Sequence, residues 1–191
     1  MENITYRPIT KKLIKSESGI KDVYCTSFPG KERLPLWFLV SKSRRKDIEF
    51  LAFYDEDKFV GLTYLIRNNT KVYILYIAMD SSLRSKGYGT RVLNIIKSRY
   101  NDKTIFLSME EVSEKYNDFA IRKSRLEFYI KNGFVKNNYV VKEIGQHFET
   151  MSFNGLTTKE DLIDTVSILA KPAPKFILKW VLKKYVQTEN S

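Results

Sequence analysis

An apolar stretch from Tyr73 to Met79 is followed by Arg84-Ser85-Lys86-Gly87-Tyr88-Gly89-Thr90, and helical spacing opens at Arg91-Val92-Leu93. Glycine presents nothing beyond its backbone, so main-chain N–H groups around Gly87 and Gly89 can close on an anion at the positive end of the following helix. The chemistry this suits is the binding of a pyrophosphate. A strand, a glycine-bearing turn and a helix are also ordinary architecture, so the turn alone leaves both readings open. Neither Gly-x-x-x-x-Gly-Lys-[Ser/Thr] nor Gly-x-Gly-x-x-Gly occurs, which disfavours ATP and NAD as ligands.

A second constellation follows forty residues on, Glu127-Phe128-Tyr129-Ile130-Lys131-Asn132-Gly133-Phe134. The first stretch resembles motif A of the GNAT superfamily of acetyltransferases, Gln/Arg-x-x-Gly-x-Gly/Ala, through Arg84, Gly87 and Gly89. The second resembles its motif B, a helix bearing a tyrosine and ending in Gly-Phe. Together they cover residues 50–155. The resemblance implies an α/β fold with a GNAT-like mixed, mostly antiparallel twisted sheet of about six or seven strands flanked by helices. It also implies an N-acetyltransferase that moves an acetyl group from acetyl-CoA to a primary amine in a ternary complex. The sequence itself, with no candidate membrane span or signal peptide and one histidine, reads as cytoplasmic with no metal expected. By position, the backbone of Ile77, Ala78 and Met79 would pair with the pantetheine arm, and a main-chain N–H near Met79 would polarise the carbonyl. Arg84, Ser85, Lys86, Gly87, Tyr88, Gly89 and Thr90 would hold the pyrophosphate, and Asn117 would also touch the cofactor. Tyr129 would protonate the departing thiolate.

The general base is where the chain departs from the family. Many members carry a glutamate where Ser108 stands. Glu110, two residues on, shares that face of a continuing strand and could hold the water that takes the proton, whereas Glu111 would face away. Glu149 and Glu32 are further candidates. The Ser108 substitution also keeps open a catalytically weak acyl-CoA-binding regulatory module.

The elements that must position these residues can be read from periodicity and punctuation. Strands are expected at Ile4–Ile9, Phe50–Tyr54, Lys58–Arg67, Lys71–Met79, Lys103–Met109, Phe134–Val141 and Gly145–Phe153. Helices are expected at Ser16–Phe28, Pro35–Lys46, Thr90–Tyr100 and Phe119–Lys131, the last capped by Asn132-Gly133. In the strand expected at Lys71–Met79 the apolar run is nearly continuous, which places it centrally, covered on both faces. In the family, the loop-helix region of Ser16–Phe28 and Pro35–Lys46 covers the acceptor site, and specificity lies around Phe28 to Arg45 and in the last hairpin. Residues 1–155 are read as the acetyltransferase domain and 156–191 as a helical extension on that domain or a partner. The extension holds a helix starting near Thr157-Thr158-Lys159-Glu160 and, after Pro172 and Pro174, a basic amphipathic helix over 175–185. Five lysines against Glu189 make residues 171–191 a +4 segment, which would also suit a membrane surface or an acidic partner.

Composition bounds the remainder. At 191 residues, with 43% hydrophobic and 14% aromatic residues, the chain can bury a core without disulfides. Its one cysteine, Cys25, cannot form an intramolecular disulfide and reads as a small buried hydrophobe. The one histidine, His147, disfavours histidine triads and ordinary zinc sites. No apolar run reaches the roughly 18 residues of a membrane span, and the N-terminus lacks the form of a signal peptide. The net charge of +11 is dispersed, as on a solvated surface, so no nucleic-acid partner is expected. The resemblance, rather than the composition, implies a small-molecule or peptide amine as the acceptor, and a homodimer is open.

Overall fold

Every residue from Phe59 to Ile66 is buried, Thr63 included, as in a strand covered on both faces. That strand lies inside an α/β fold. The computed structural model describes residues 4–143 and 146–171. Its elements are β1 (Ile4–Pro8), α1 (Lys11–Ser16), α2 (Ser18–Ser27), α3 (Leu36–Lys42), β2 (Ile48–Asp55), β3 (Lys58–Arg67), β4 (Lys71–Met79), a 3-10 turn (Ser81–Leu83), α4 (Tyr88–Arg99), β5 (Thr104–Glu110), α5 (Phe119–Lys131), β6 (Val135–Glu143), β7 (Gln146–Phe153) and α6 (Lys159–Ala170). The seven strands run in the order β1-β2-β3-β4-β5-β7-β6. This mixed, mostly antiparallel sheet with its helices is the expected fold class.

The chain forms two compact units, one from the residues up to Ile66 with Ile74–Arg99, the other from Arg67–Tyr73 with the chain from Tyr100 onward. In the first, β1, β2 and β3 are antiparallel, with Ile4 opposite Asp55 and Ile48 opposite Ile66. Glu56, in a left-handed conformation at φ 53°, turns the β2–β3 hairpin. Helix α4 buries Val92, Leu93 and Ile96, and α3 buries Phe38, Leu39 and Val40.

In the second unit β7 pairs with β5 and β6, both antiparallel. Lys136 faces Met151 but Val140 faces Glu149, so β6 carries extra residues at its centre. Helix α5 ends in a Schellman cap: Gly133 sits at φ 79°, its N–H reaches Ile130 O at 2.9 Å, and the Phe134 N–H reaches Tyr129 O at 3.0 Å. Helix α6 opens with a capping box, Asp161 N–H to Thr158 Oγ1 at 3.2 Å and Thr158 N–H to Asp161 Oδ2 at 2.9 Å.

Several expectations are corrected. The helix expected at Ser16–Phe28 is α2, Ser18–Ser27, and it is preceded by a helix the sequence did not reveal, α1, which Thr10 caps and which Glu17 separates from α2 at φ −125° and ψ 90°. The helix expected at Pro35–Lys46 is shorter, ending at Lys42, with the Ser43 hydroxyl bonded to Val40 O at 3.1 Å. Cys25 is exposed rather than buried, since the face of α2 that packs inward carries Ile20, Val23 and Tyr24. In β5, where strand alternation would put Phe106 on the opposite face from Ile105 and Leu107, all three are buried. The basic helix read over 175–185 lies outside the described residues. Among the described residues no helix is long and apolar enough to cross a membrane.

Candidate active site

The turn after β4 is built from the main chain. Asp80 caps the 3-10 turn by accepting the Ser82 N–H at 2.8 Å, and its bonds to Ser82 hold the carboxyl below the usual carboxylate range. Ser85 and Gly87 then adopt left-handed conformations at φ 63° and 77°. Alternating left-handed residues turn successive N–H groups toward one side, a concavity suited to anions. A Cβ built on Gly87 would meet nothing within 4 Å, so the space in front of the turn is open. The first helical bond of α4 is Arg91 N–H to Gly87 O at 3.1 Å, and the N–H groups of Tyr88, Gly89 and Thr90 precede it without an intrahelical acceptor. Arg84 and Lys86 are exposed beside them. This donor set fits a pyrophosphate.

Tyr88 opens α4 just after the turn, and its side chain is committed elsewhere. Its hydroxyl donates to Asp55 Oδ2 at 2.6 Å and the Arg91 guanidinium lies 4.2 Å over its ring. The hydrogen bond to Asp55 raises the Tyr88 pKa. What Tyr88 has left for a ligand is its main-chain N–H. Along β4, Ala78 is buried while Ile77 and Met79 are half-buried. A Cβ at Gly61 of β3 would stand 2.5 Å from Ala78 O, so the two backbones approach closely at that point.

In the second unit the acid and base candidates converge. Glu110, at the end of β5, is ion-paired through Oε2 with Arg125 Nη1 of α5. Tyr129, one helical turn further along α5, is buried, and that burial pushes its pKa up to about 12, with Arg125 acting downward and Glu110 upward. Ser108 accepts a hydrogen bond from the Tyr73 hydroxyl at 3.2 Å. Glu111 is tied to Lys115 at 2.8 Å and accepts from the Tyr116 hydroxyl at 3.0 Å, and these bonds hold its carboxyl below the usual range. Glu149 pairs with Lys136 at 2.7 Å, and Asn117 is exposed just before α5.

Residues 18–134 match the model of the Acetyltransferase (GNAT) family, more than half of the 191-residue chain. The chain belongs to the GNAT family of acetyltransferases. Solved structures share the fold. A GNAT-family protein from Bacteroides thetaiotaomicron superposes with a TM-score of 0.67 at 23% identity, covering 84% of this chain and 92% of its own. An aminoglycoside 6'-N-acetyltransferase complexed with coenzyme A gives 0.60 at 17% identity, covering 78% and 95%. A spermidine N-acetyltransferase chimera from Vibrio cholerae gives 0.55 at 16% identity, covering 78% and 94%. A comparison with curated proteins returned no significant match.

In this GNAT chain three features of the site escaped the reading of the sequence. Asp55, Gly61 and Arg125 all act through contacts that depend on strand pairing or packing. Only Gly61 left a trace, as a lone glycine inside an apolar strand run.

Proposed function

We propose that this GNAT chain transfers an acetyl group from acetyl-CoA to a primary amine by direct attack in a ternary complex. The observation that carries the reading is the Ser85–Gly87 turn opening into α4, with open space before it and Arg84 and Lys86 beside it. Acetyl-CoA supplies an activated acyl carbon on a thiolate leaving group. Arg84, Lys86 and the N–H groups of Gly87 to Thr90 hold the pyrophosphate, and the main chain of Ile77 to Met79 takes the pantetheine. Binding of this kind supplies the orientation that an amine attacking a thioester chiefly needs. Glu110, whose Oε2 is bound by Arg125, holds the water that takes the ammonium proton. Tyr129 stays protonated across neutral pH, so its O–H donates toward the leaving sulfur. Against a thiol of ordinary pKa near 8.5, full transfer from a phenol at about 12 is uphill, so hydrogen-bond donation is the larger part of its role.

The test is the melting temperature with acetyl-CoA, against ATP and NAD as controls. Hundredfold saturation is worth about 2.7 kcal/mol, a rise of roughly 5–10 °C for a chain of this size. No rise with acetyl-CoA sinks the reading. A rise leads to an assay of CoA thiol release with spermidine, kanamycin and an alanine-initiated peptide. A second reading, an acyl-CoA-binding regulatory module, is favoured by Ser108 and by the commitment of Glu110 to Arg125. It predicts the same thermal shift with no thiol release from any amine.

A further inference from the structure

The loop Pro29–Pro35, between α2 and α3, is held by tyrosine hydroxyls on its main chain. The Tyr76 hydroxyl donates to Glu32 O at 2.8 Å and accepts the Leu34 N–H at 3.1 Å. The Tyr24 hydroxyl donates to Leu34 O at 2.8 Å. Within the loop's own main chain, the Glu32 N–H donates to Pro29 O at 2.9 Å. Tyr76 is itself fixed: it is 4% exposed, and its ring lies 4.7 Å from Phe28, 5.3 Å edge-on from Tyr24 and 6.3 Å from Tyr64. A buried phenol that uses its hydroxyl both to donate and to accept orients the chain that it bonds. Leu34 is buried beneath the loop, whereas Lys31 is exposed and Glu32 and Arg33 are half-buried.

Tyr76 also precedes Ile77, Ala78 and Met79 on β4. One strand therefore carries the anchor of the loop and, in the next three residues, the segment assigned to the pantetheine. We infer that Tyr76 is a positioning residue for the acceptor amine, holding the Glu32–Leu34 loop in fixed register with that segment. The inference rests on the acetyl-transfer reading, in which this loop region covers the acceptor.

The experiment compares Tyr76→Phe with Tyr64→Phe in the full chain. Tyr64 is the control because it loses a buried hydroxyl bonded to Leu39 O in α3, at 3.3 Å, and not to the loop. Two readouts are taken: hydrogen exchange of the Leu34 amide without ligand, and kinetic constants with whichever of spermidine, kanamycin or the alanine-initiated peptide the wild-type chain turns over. Tyr76→Phe is expected to speed Leu34 exchange about tenfold and to raise the amine KM about tenfold, the scale of one or two lost hydrogen bonds. The acetyl-CoA KM stays within about twofold, and Tyr64→Phe moves neither readout. The inference is overturned by Leu34 exchange equal to wild type in Tyr76→Phe, by the two KM values rising together, or by Tyr64→Phe giving the same shift. Should Tyr76→Phe not fold, Tyr24→Phe removes the bond to Leu34 O together with the hydrogen bond between the Tyr24 and Tyr76 hydroxyls, and must raise the amine KM selectively, or the inference falls. A wild-type chain that releases no thiol removes the acetyl-transfer reading and this inference with it. Wild-type turnover with an unchanged Tyr76→Phe sinks this inference alone.

Discussion

Glu110 and Tyr129 share an arginine, and that sharing sets what each can contribute. Arg125 binds the carboxylate of Glu110 and acts downward on the Tyr129 pKa, against a larger upward effect of burial. Tyr129→Phe is expected to lower kcat about a hundredfold, the ordinary scale of a lost proton donor, with acetyl-CoA affinity within twofold. Isothermal titration beside steady-state kinetics checks this, and an unchanged kcat would take Tyr129 out of the chemistry. Arg84→Ala should weaken acetyl-CoA binding about fivefold to tenfold, the exposed end of the range for a charge-assisted bond. Because that charge is solvated, the deficit should shrink in 1 M salt, where the Debye length falls to about 3 Å. A deficit independent of salt would mean that Arg84 acts through packing. The glycine turn could be read from the sequence because its need for φ > 0 is local, as Gly87 shows at 77°. The Glu110–Arg125 pair could not, because its partners are 15 residues apart and meet only through the packing of α5 on its unit.

Elements whose signals are local came through with close bounds. Lys71–Met79 and Phe119–Lys131 match the structure residue for residue, the first through an unbroken apolar run, the second through its glycine cap. Helix α6 was legible from its N-terminal residues, and its capping box has a measurable worth. Thr158→Ala should cost about 1 kcal/mol and lower the melting temperature by about 2–4 °C. Differential scanning calorimetry decides, and an unchanged transition would mean that α6 unfolds apart from the remainder. Less was legible where tertiary pairing decides. The break at Glu17 divides a stretch with helical spacing on both sides, and the irregular register of β6 between Lys136 and Val140 leaves no mark in hydropathy. Asn137 supplies the compensation there, accepting from Ser152 Oγ at 2.8 Å and the Thr157 N–H at 3.0 Å.

For the whole molecule the buried phenols govern behaviour at high pH. Burial raises Tyr24 and Tyr64 far above the ordinary tyrosine value of 10.0 and Tyr129 to about 12. In the unfolded chain these groups release protons near pH 10, while the folded chain retains them. Stability from this source is therefore complete below about pH 10 and falls as the pH rises through the folded values. Melting curves at about pH 8, 10 and 11 should show a plateau and then a decline, and a melting temperature constant to pH 11 would contradict the burial of these hydroxyls. One surface feature has a practical side. Cys25 is the chain's single thiol, and it is exposed on α2, with its carbonyl accepting from Arg33 Nη1 at 3.4 Å. A maleimide dye placed there would label one position per molecule with no other cysteine to remove. Its emission would report directly on the stretch of chain that Tyr76 anchors, while blocking the one protein sulfhydryl that would otherwise add a constant background to any colorimetric count of released coenzyme A.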